Sequence, residues 1–414
     1  MSKKTAFIII IVFVLLIGGG FFAFYFYSNQ GQGNNIGVVT DNRGNIFPPT
    51  PGANTMPNQN NGGTTSDTST TTPGNNQPVL RVRELSTRPA AGAVAMSTSS
   101  DQTVVRFIER GSGNAYEVHP DIEGEVRLSN TTIPKVEEAL WNKTGMQVLA
   151  RYVADDNDTI KTYSATLTKA SDQPEGELKG SYMTENIRSV AENPDQNKLF
   201  YFLQDSGGST GIISGFDGGG KLQIFDSPLA EWVPDWPTAS FISLTTKASA
   251  GVPGFLFLVN AKTGAVAPAI SGINGLTAKV SPTGTLVAYS ETKPGRLSLK
   301  IFSLKSASNK ETSVQTLPEK CVWSKNDTET LYCSVPSYLP DGAYPDMWYK
   351  GLVSFSDEIW KIDATTGAGT VIAKLINSAP QGIDGTNLFL SPNEDYLLLT
   401  NKKDFHLWSI QLKP

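Results

Sequence analysis

Between residue 79 and residue 414 the sequence repeats one theme seven times: a short apolar strand, a polar turn, and a second strand rich in Val, Leu, Tyr and Phe. The pairs are 92–96 with 104–108, 138–142 with 147–152, 189–195 with 198–202, and a degenerate 231–235 with 239–244. They continue as 278–284 with 286–289, 321–327 with 331–333, and 388–394 with 396–399. A third strand often follows, at 297–302, at 358–363 before Thr366 and Gly367, and at 406–410, so each unit reads as a small antiparallel meander. Composition agrees with an all-β chain: 38 Gly and 25 Pro stand against only 18% charged residues, which suits short strands and tight turns better than a helical bundle.

Residues 79–414 divided among seven units give about 48 residues apiece, the usual size of a four-stranded propeller blade. A large β-sandwich also alternates strands in this way, but the regular spacing favours a seven-bladed β-propeller. The hairpins built on Ser281, Pro282 and Gly284, on Ser324 and Asp327, and on Ser391, Pro392 and Glu394 each precede an apolar second strand. They resemble the Trp-Ser-Pro-Asp-Gly hairpins of TolB-like and prolyl-oligopeptidase-type propellers, which are WD-repeat-like. Pro presets φ at such a turn and Gly tolerates positive φ, so the strand can reverse sharply. The last unit runs out after three strands while 79–85 is left over before the first, so 79–85 is expected to pair with 405–411 and close the ring.

Residues 6–27 contain no charge and are dominated by Ile, Val, Leu and Phe, enough helix to cross a hydrocarbon core of about 30 Å. Lys3 and Lys4 precede this segment and the next basic residue is Arg43, which places 1–5 in the cytoplasm and exports the rest. A cleaved signal peptide is the rival, but the apolar run exceeds a typical signal core and lacks a small-x-small site. Residues 28–78, rich in Gly, Asn, Thr, Pro and Gln, read as a disordered linker with a reach of roughly 40 Å, leading to the propeller domain 79–414. The expected location is the cytoplasmic membrane, single-pass, with the C-terminal domain outside the cytoplasm. A net charge of −5 and the lack of a Lys/Arg stripe leave little to hold phosphates, so nucleic acid is not an expected partner.

Cys321 and Cys333 flank the sixth hairpin, with their midpoint in its polar turn. Directly opposed antiparallel residues lie within bridging range, so a disulfide is expected, with two buried thiols as the alternative. Two cysteines this far apart do not make a zinc site.

Catalytic motifs are sparse. Residues 207–211 match the Gly-x-Ser-x-Gly pattern, but a strand follows where a hydrolase elbow needs a helix, so this reads as a Gly-rich hairpin. His119 and His406 are the only histidines, and Asp155, Asp156 and Asp158 read as a solvated turn. No cofactor or metal is expected. The most informative segment is the interruption at 336–356, inside the sixth unit, which carries Tyr338, Asp341, Tyr344, Asp346, Trp348 and Tyr349. That mixture suits a protein interface or a carbohydrate-stacking platform; the alternative is a loop that simply plugs the propeller mouth with its own aromatics. The expected function is binding of an envelope protein or glycan. The alternatives are a glycoside-active envelope enzyme with carboxylates at the channel mouth, and a structural spacer.

Overall fold

The computed structural model describes residues 82–169, 175–376 and 378–413. The expected anchor at 6–27, the linker at 28–78 and residues 79–81 lie outside the described residues. Among the described residues no helix is long and apolar enough to cross a membrane.

The described chain forms seven four-stranded antiparallel sheets, spanning 90–127, 138–182, 187–227, 232–274, 278–311, 321–374 and 385–411. The sheets form a ring because their faces are apolar in sequence order. Trp141 of the second sheet packs in one cluster with Ile108 and Ala115 of the first. Leu149 meets Leu199 and Tyr201 between the second and third sheets. Phe202 and Trp232 share the next cluster through Phe225, whose ring meets each edge-on. Leu256 with Val287, Ile301 with Trp323, and Ile359 with Leu397 carry the packing to the seventh sheet. Leu398 and Leu407 of that sheet then pack on Val105, Phe107 and Tyr116 of the first. A β-sandwich has two facing layers and no such return, so the molecule is a seven-bladed propeller.

The first strands of the first and second, third and fourth, and sixth and seventh sheets touch one another, while last strands such as Ser308–Glu311 are exposed along their length, so the first strands form the inner wall. Gly92 is required there: a Cβ on it would strike the carbonyl of Ala139 on the next inner strand.

One turn design recurs at the first hairpin of the blades. Asn142, Asn193, Ser281 and Ser391 each turn a side-chain oxygen onto two backbone N–H groups four and five residues later. Three residues after each of them the chain takes positive φ, at Gly145, Gln196, Gly284 and Glu394. The side chain satisfies donors that the reversal leaves unpaired, which is why Ser or Asn opens these hairpins.

The strand Val82–Glu84 is the fourth strand of the seventh sheet, antiparallel to Leu407–Gln411, with Val82 opposite Ile410 and Glu84 opposite Trp408. Cys321 and Cys333 face each other across the first two strands of the sixth sheet, 4.0 Å apart at Cα, and are joined by a disulfide.

Candidate binding face

The segment 336–356 joins the second strand of the sixth sheet, Thr330–Pro336, to the third, Asp357–Asp363. Its one regular element is the short helix Asp346–Tyr349, which ends where Gly351 takes φ +69 and donates to the Trp348 carbonyl. Tyr344, just before this helix, and Trp348, within it, are both enclosed, at 1% and 4% exposure. They pack with Phe355, Leu317 and Leu297.

Beneath them lies a charged cluster that sequence reading missed. Lys320, fully buried, donates to Asp357 Oδ2 at 2.8 Å and also to Asp384 Oδ1. Asp384 accepts further bonds from the Trp348 indole Nε1–H at 3.0 Å, the Phe355 N–H at 3.1 Å and the Ser354 hydroxyl at 3.3 Å. Asp357 Oδ2 accepts the Gly385 N–H at 2.7 Å. Burial pushes the Asp357 carboxyl up to about 6, against the pull of Lys320. Lys402 donates to the Trp348 carbonyl at 2.7 Å and stands 4.7 Å from the indole centroid, so a second cation flanks the two carboxylates.

The segment is also pinned to its neighbours. The Asp346 carboxylate accepts from Ser249 Oγ at 3.0 Å and Ala250 N–H at 2.7 Å, in a turn of the fourth sheet. Burial would raise its carboxyl, but these bonds outweigh it and hold it below the usual range. Thr292 of the fifth sheet donates to the Tyr344 carbonyl at 2.8 Å. The Tyr349 hydroxyl donates to Glu319, whose own carboxyl burial raises. With Asp384 and Lys402 from the seventh sheet, the insertion is fastened across four consecutive blades at one end of the ring.

The six residues singled out from sequence therefore divide. Tyr338, at 76% exposure, and Asp341 and Tyr349 face solvent; Tyr344 and Trp348 are enclosed; Asp346 is half-buried as a tie to the fourth blade. Leu352, at 69%, joins the outward set. The exposed Val252 lies in the turn that holds Asp346, and Ile376, which precedes Asp384 in the chain, is exposed as well.

At the opposite end of the inner wall, strands Ile187–Glu192 and Trp232–Asp235 finish in carboxylates. Burial pushes Glu192 up to about 7, eased by a bond from the Gln196 amide at 2.6 Å and by the charge of Lys325; Asp235 is raised by burial as well. Glu192 Oε2 has no partner among the described residues.

The other sequence motifs carry no assembled chemistry. Residues 198–205 and 208–215 form a tight hairpin, and the Ser209 hydroxyl donates to the Leu229 carbonyl. The Asp156 carboxylate accepts bonds from Thr159 and the Asp158 N–H, which lower its carboxyl to about 2 within a surface turn. Among the described residues no group of three or more His, Cys, Asp or Glu stands together to hold a metal ion.

No family model matches the sequence, and no curated protein matches it. Solved structures do. An oligogalacturonate lyase from Vibrio parahaemolyticus is 13% identical over 81% of this chain and 99% of that one, with a TM-score of 0.46. An oligogalacturonate lyase in complex with manganese is 9% identical over 81% and 99%, with a TM-score of 0.48. A putative TolB from Agrobacterium tumefaciens is 10% identical over 53% of this chain and 79% of that one, with a TM-score of 0.37. Likeness this distant carries no argument about activity. The seven-bladed ring stands on its own strand pairing and packing.

Proposed function

We propose that this chain is a binding module of the cell envelope, anchored in the cytoplasmic membrane by residues 6–27, held off it by 28–78, and recognising a protein or glycan outside the cytoplasm. The observation that carries the reading is the division of the insertion into anchors and contacts. Trp348, Tyr344 and Asp346 fix it to four blades, while Tyr338 and Leu352 stand outward, Val252 is exposed in the turn that holds Asp346, and Tyr349, tied by its hydroxyl to Glu319, shows part of its ring. A rigid, partly apolar platform loses little freedom on binding, which is what a recognition surface needs. The carboxylates at this end, Asp357 and Asp384, are engaged by Lys320 and covered by Trp348, which favours binding over catalysis there.

A photo-crosslinking residue placed at Leu352 in the full-length chain tests this in intact cells. A discrete adduct is expected at Leu352 and none at Leu222, an exposed position on the third blade. Equal adducts at both positions, or none at Leu352, would count against the face. Protease added to intact cells with a permeable outer layer should digest residues beyond 28 and spare 1–5.

A second reading, glycoside chemistry, is favoured by Glu192, a carboxyl that burial pushes up to about 7 and whose Oε2 has no partner among the described residues. Hydrolysis of an envelope polysaccharide that Glu192→Gln abolishes would establish it in place of the first.

A further inference from the structure

A groove of about 490 Å³ lies between the fifth and sixth blades, walled by the start of the strand Arg296–Ser303, the connection 311–315 and the base of the insertion at 335–339, with Trp360 among its lining residues. Thr312, Ser313 and Ser337 in its wall are hydrogen-bonded within the protein, whereas Arg296, Gln315 and Tyr338 are exposed to solvent. The Arg296 guanidinium makes no ion pair or hydrogen bond among the described residues, and neither the Gln315 amide, the Tyr338 hydroxyl nor the Trp360 indole N–H has a protein partner there. The one carboxylate in the wall, Glu311, is paired with Lys300 at 2.7 Å, which also pairs with Glu291. By contrast the buried polar groups a short distance away, around Lys320, are densely bonded.

We propose that this groove binds a short acidic oligosaccharide. Two aromatic side chains offer flat apolar area for the C–H faces of sugar rings, and each also carries a polar atom for a hydroxyl. Gln315 can donate and accept, as alternating sugar hydroxyls require, and Arg296 presents a planar fork matched to a carboxylate. The volume falls in the range of small-ligand sites, about 300–1,000 Å³. An acidic peptide also carries carboxylates, but the two aromatics and the Gln315 amide suit a polyhydroxylated ligand better than a chain that brings its own backbone pairing. The inference rests on the recognition reading and adds to it one ligand class at a separate groove beside the insertion.

The test uses the full-length chain in detergent against an immobilised panel of uronate-, sialate- and muramate-bearing oligosaccharides, their neutral counterparts, and oligoglutamate peptides. Binding of at least one acidic sugar is expected, with weaker or no binding of its neutral counterpart. Arg296→Gln and Tyr338→Ala should each lower the affinity about tenfold or more, as loss of a charge-assisted bond or of a stacking face implies. Circular dichroism and melting should match the parent, since Tyr338 is largely exposed. Adducts at Leu352 in cells carrying Arg296→Gln should persist, so failure of the groove is distinguishable from failure of the face. No binding across the acidic sugars, preference for the peptides, or affinity indifferent to both substitutions would overturn the proposal.

Discussion

The indole N–H of Trp348 reaches Asp384 Oδ2 at 3.0 Å, so the only aromatic N–H of the insertion ends on a buried carboxylate supplied by the next blade. Lys320 meets the same carboxylate from below, and the sixth blade, its insertion and the seventh blade become one mechanical unit.

Replacing Trp348 with Phe keeps most of the apolar contact and deletes that donor. Hydrogen bonds to charged groups contribute roughly 1.5–3 kcal/mol, so urea unfolding should show a loss of that order. Limited proteolysis should cut within 336–356 faster than in the parent. Unchanged stability would mean that Asp384 is served well enough by Lys320, Ser354 and the Phe355 N–H.

Lys320→Met leaves Asp357 and Asp384 buried without their cation. Breaking a buried pair from one side costs about 3–5 kcal/mol, whereas neutralising the whole set is far milder. The expected order of melting temperature is therefore parent, then the triple variant Lys320→Met, Asp357→Asn, Asp384→Asn, then Lys320→Met alone. A single variant as stable as the triple would show that the carboxylates are not ionised opponents of burial.

The contrast between this cluster and the hairpins explains what a sequence reader can see. Ser281 with Gly284, and Cys321 with Cys333, interact within one hairpin, so their spacing states the geometry. Lys320 and Asp384 are 64 residues apart and meet only because the ring places the sixth inner strand beside the seventh. Trp348 and Tyr349 are neighbours of similar chemistry, and only the helical turn decides that one is enclosed and the other exposed. The outermost strands, such as Ser308–Glu311 and Glu177–Tyr182, escaped location because exposure removes the alternation that marks a half-buried strand. Leu352 was passed over since a single leucine beside aromatics carries no pattern at all.

Glu192 gives a pH prediction with a definite sign. Its carboxyl is raised from 4.5 to about 7 by burial, so between those values the folded state holds a proton that the unfolded state has released. Stability from this group is fully present below about 4.5, falls as pH rises toward 7, and is level above that. The total change is on the order of 3 kcal/mol. Melting temperatures measured from pH 4.5 to 8 should show this slope in the parent and a flatter profile in Glu192→Gln. Parallel profiles would mean that Glu192 titrates in its ordinary range.

The Cys321–Cys333 bond spans 12 residues, and closing a loop of that size removes unfolded-state freedom equivalent to about 3 kcal/mol. Cys321→Ser with Cys333→Ala should lower the melting temperature, and reductant should lower the parent's but leave the variant's unchanged. Equal melting of parent and variant without reductant would show the bond to be energetically silent.

The strand Val82–Glu84 joins the two ends of the ring by more than its pairing. Arg83, set opposite Ser409, sends its guanidinium to the carbonyls of Pro120 and Ile122 of the first blade, each at 2.7 Å, while its backbone belongs to the seventh. The Leu85 N–H donates to the Leu407 carbonyl at 2.7 Å, and Leu85 packs with Val105 and Leu407. Deleting 82–85 strips the strand Leu407–Gln411 of its outer partner and opens a row of backbone donors and acceptors, a template for pairing between molecules. The deletion should lower the melting temperature by more than its length implies and produce concentration-dependent association in light scattering. Arg83→Ala keeps the strand and removes only the stitches to the first blade, so it should associate no more than the parent, with a loss of about 1–3 kcal/mol. A deletion variant that associates no more than the parent and melts with it would mean that apolar packing between the seventh and first blades closes the ring without this strand.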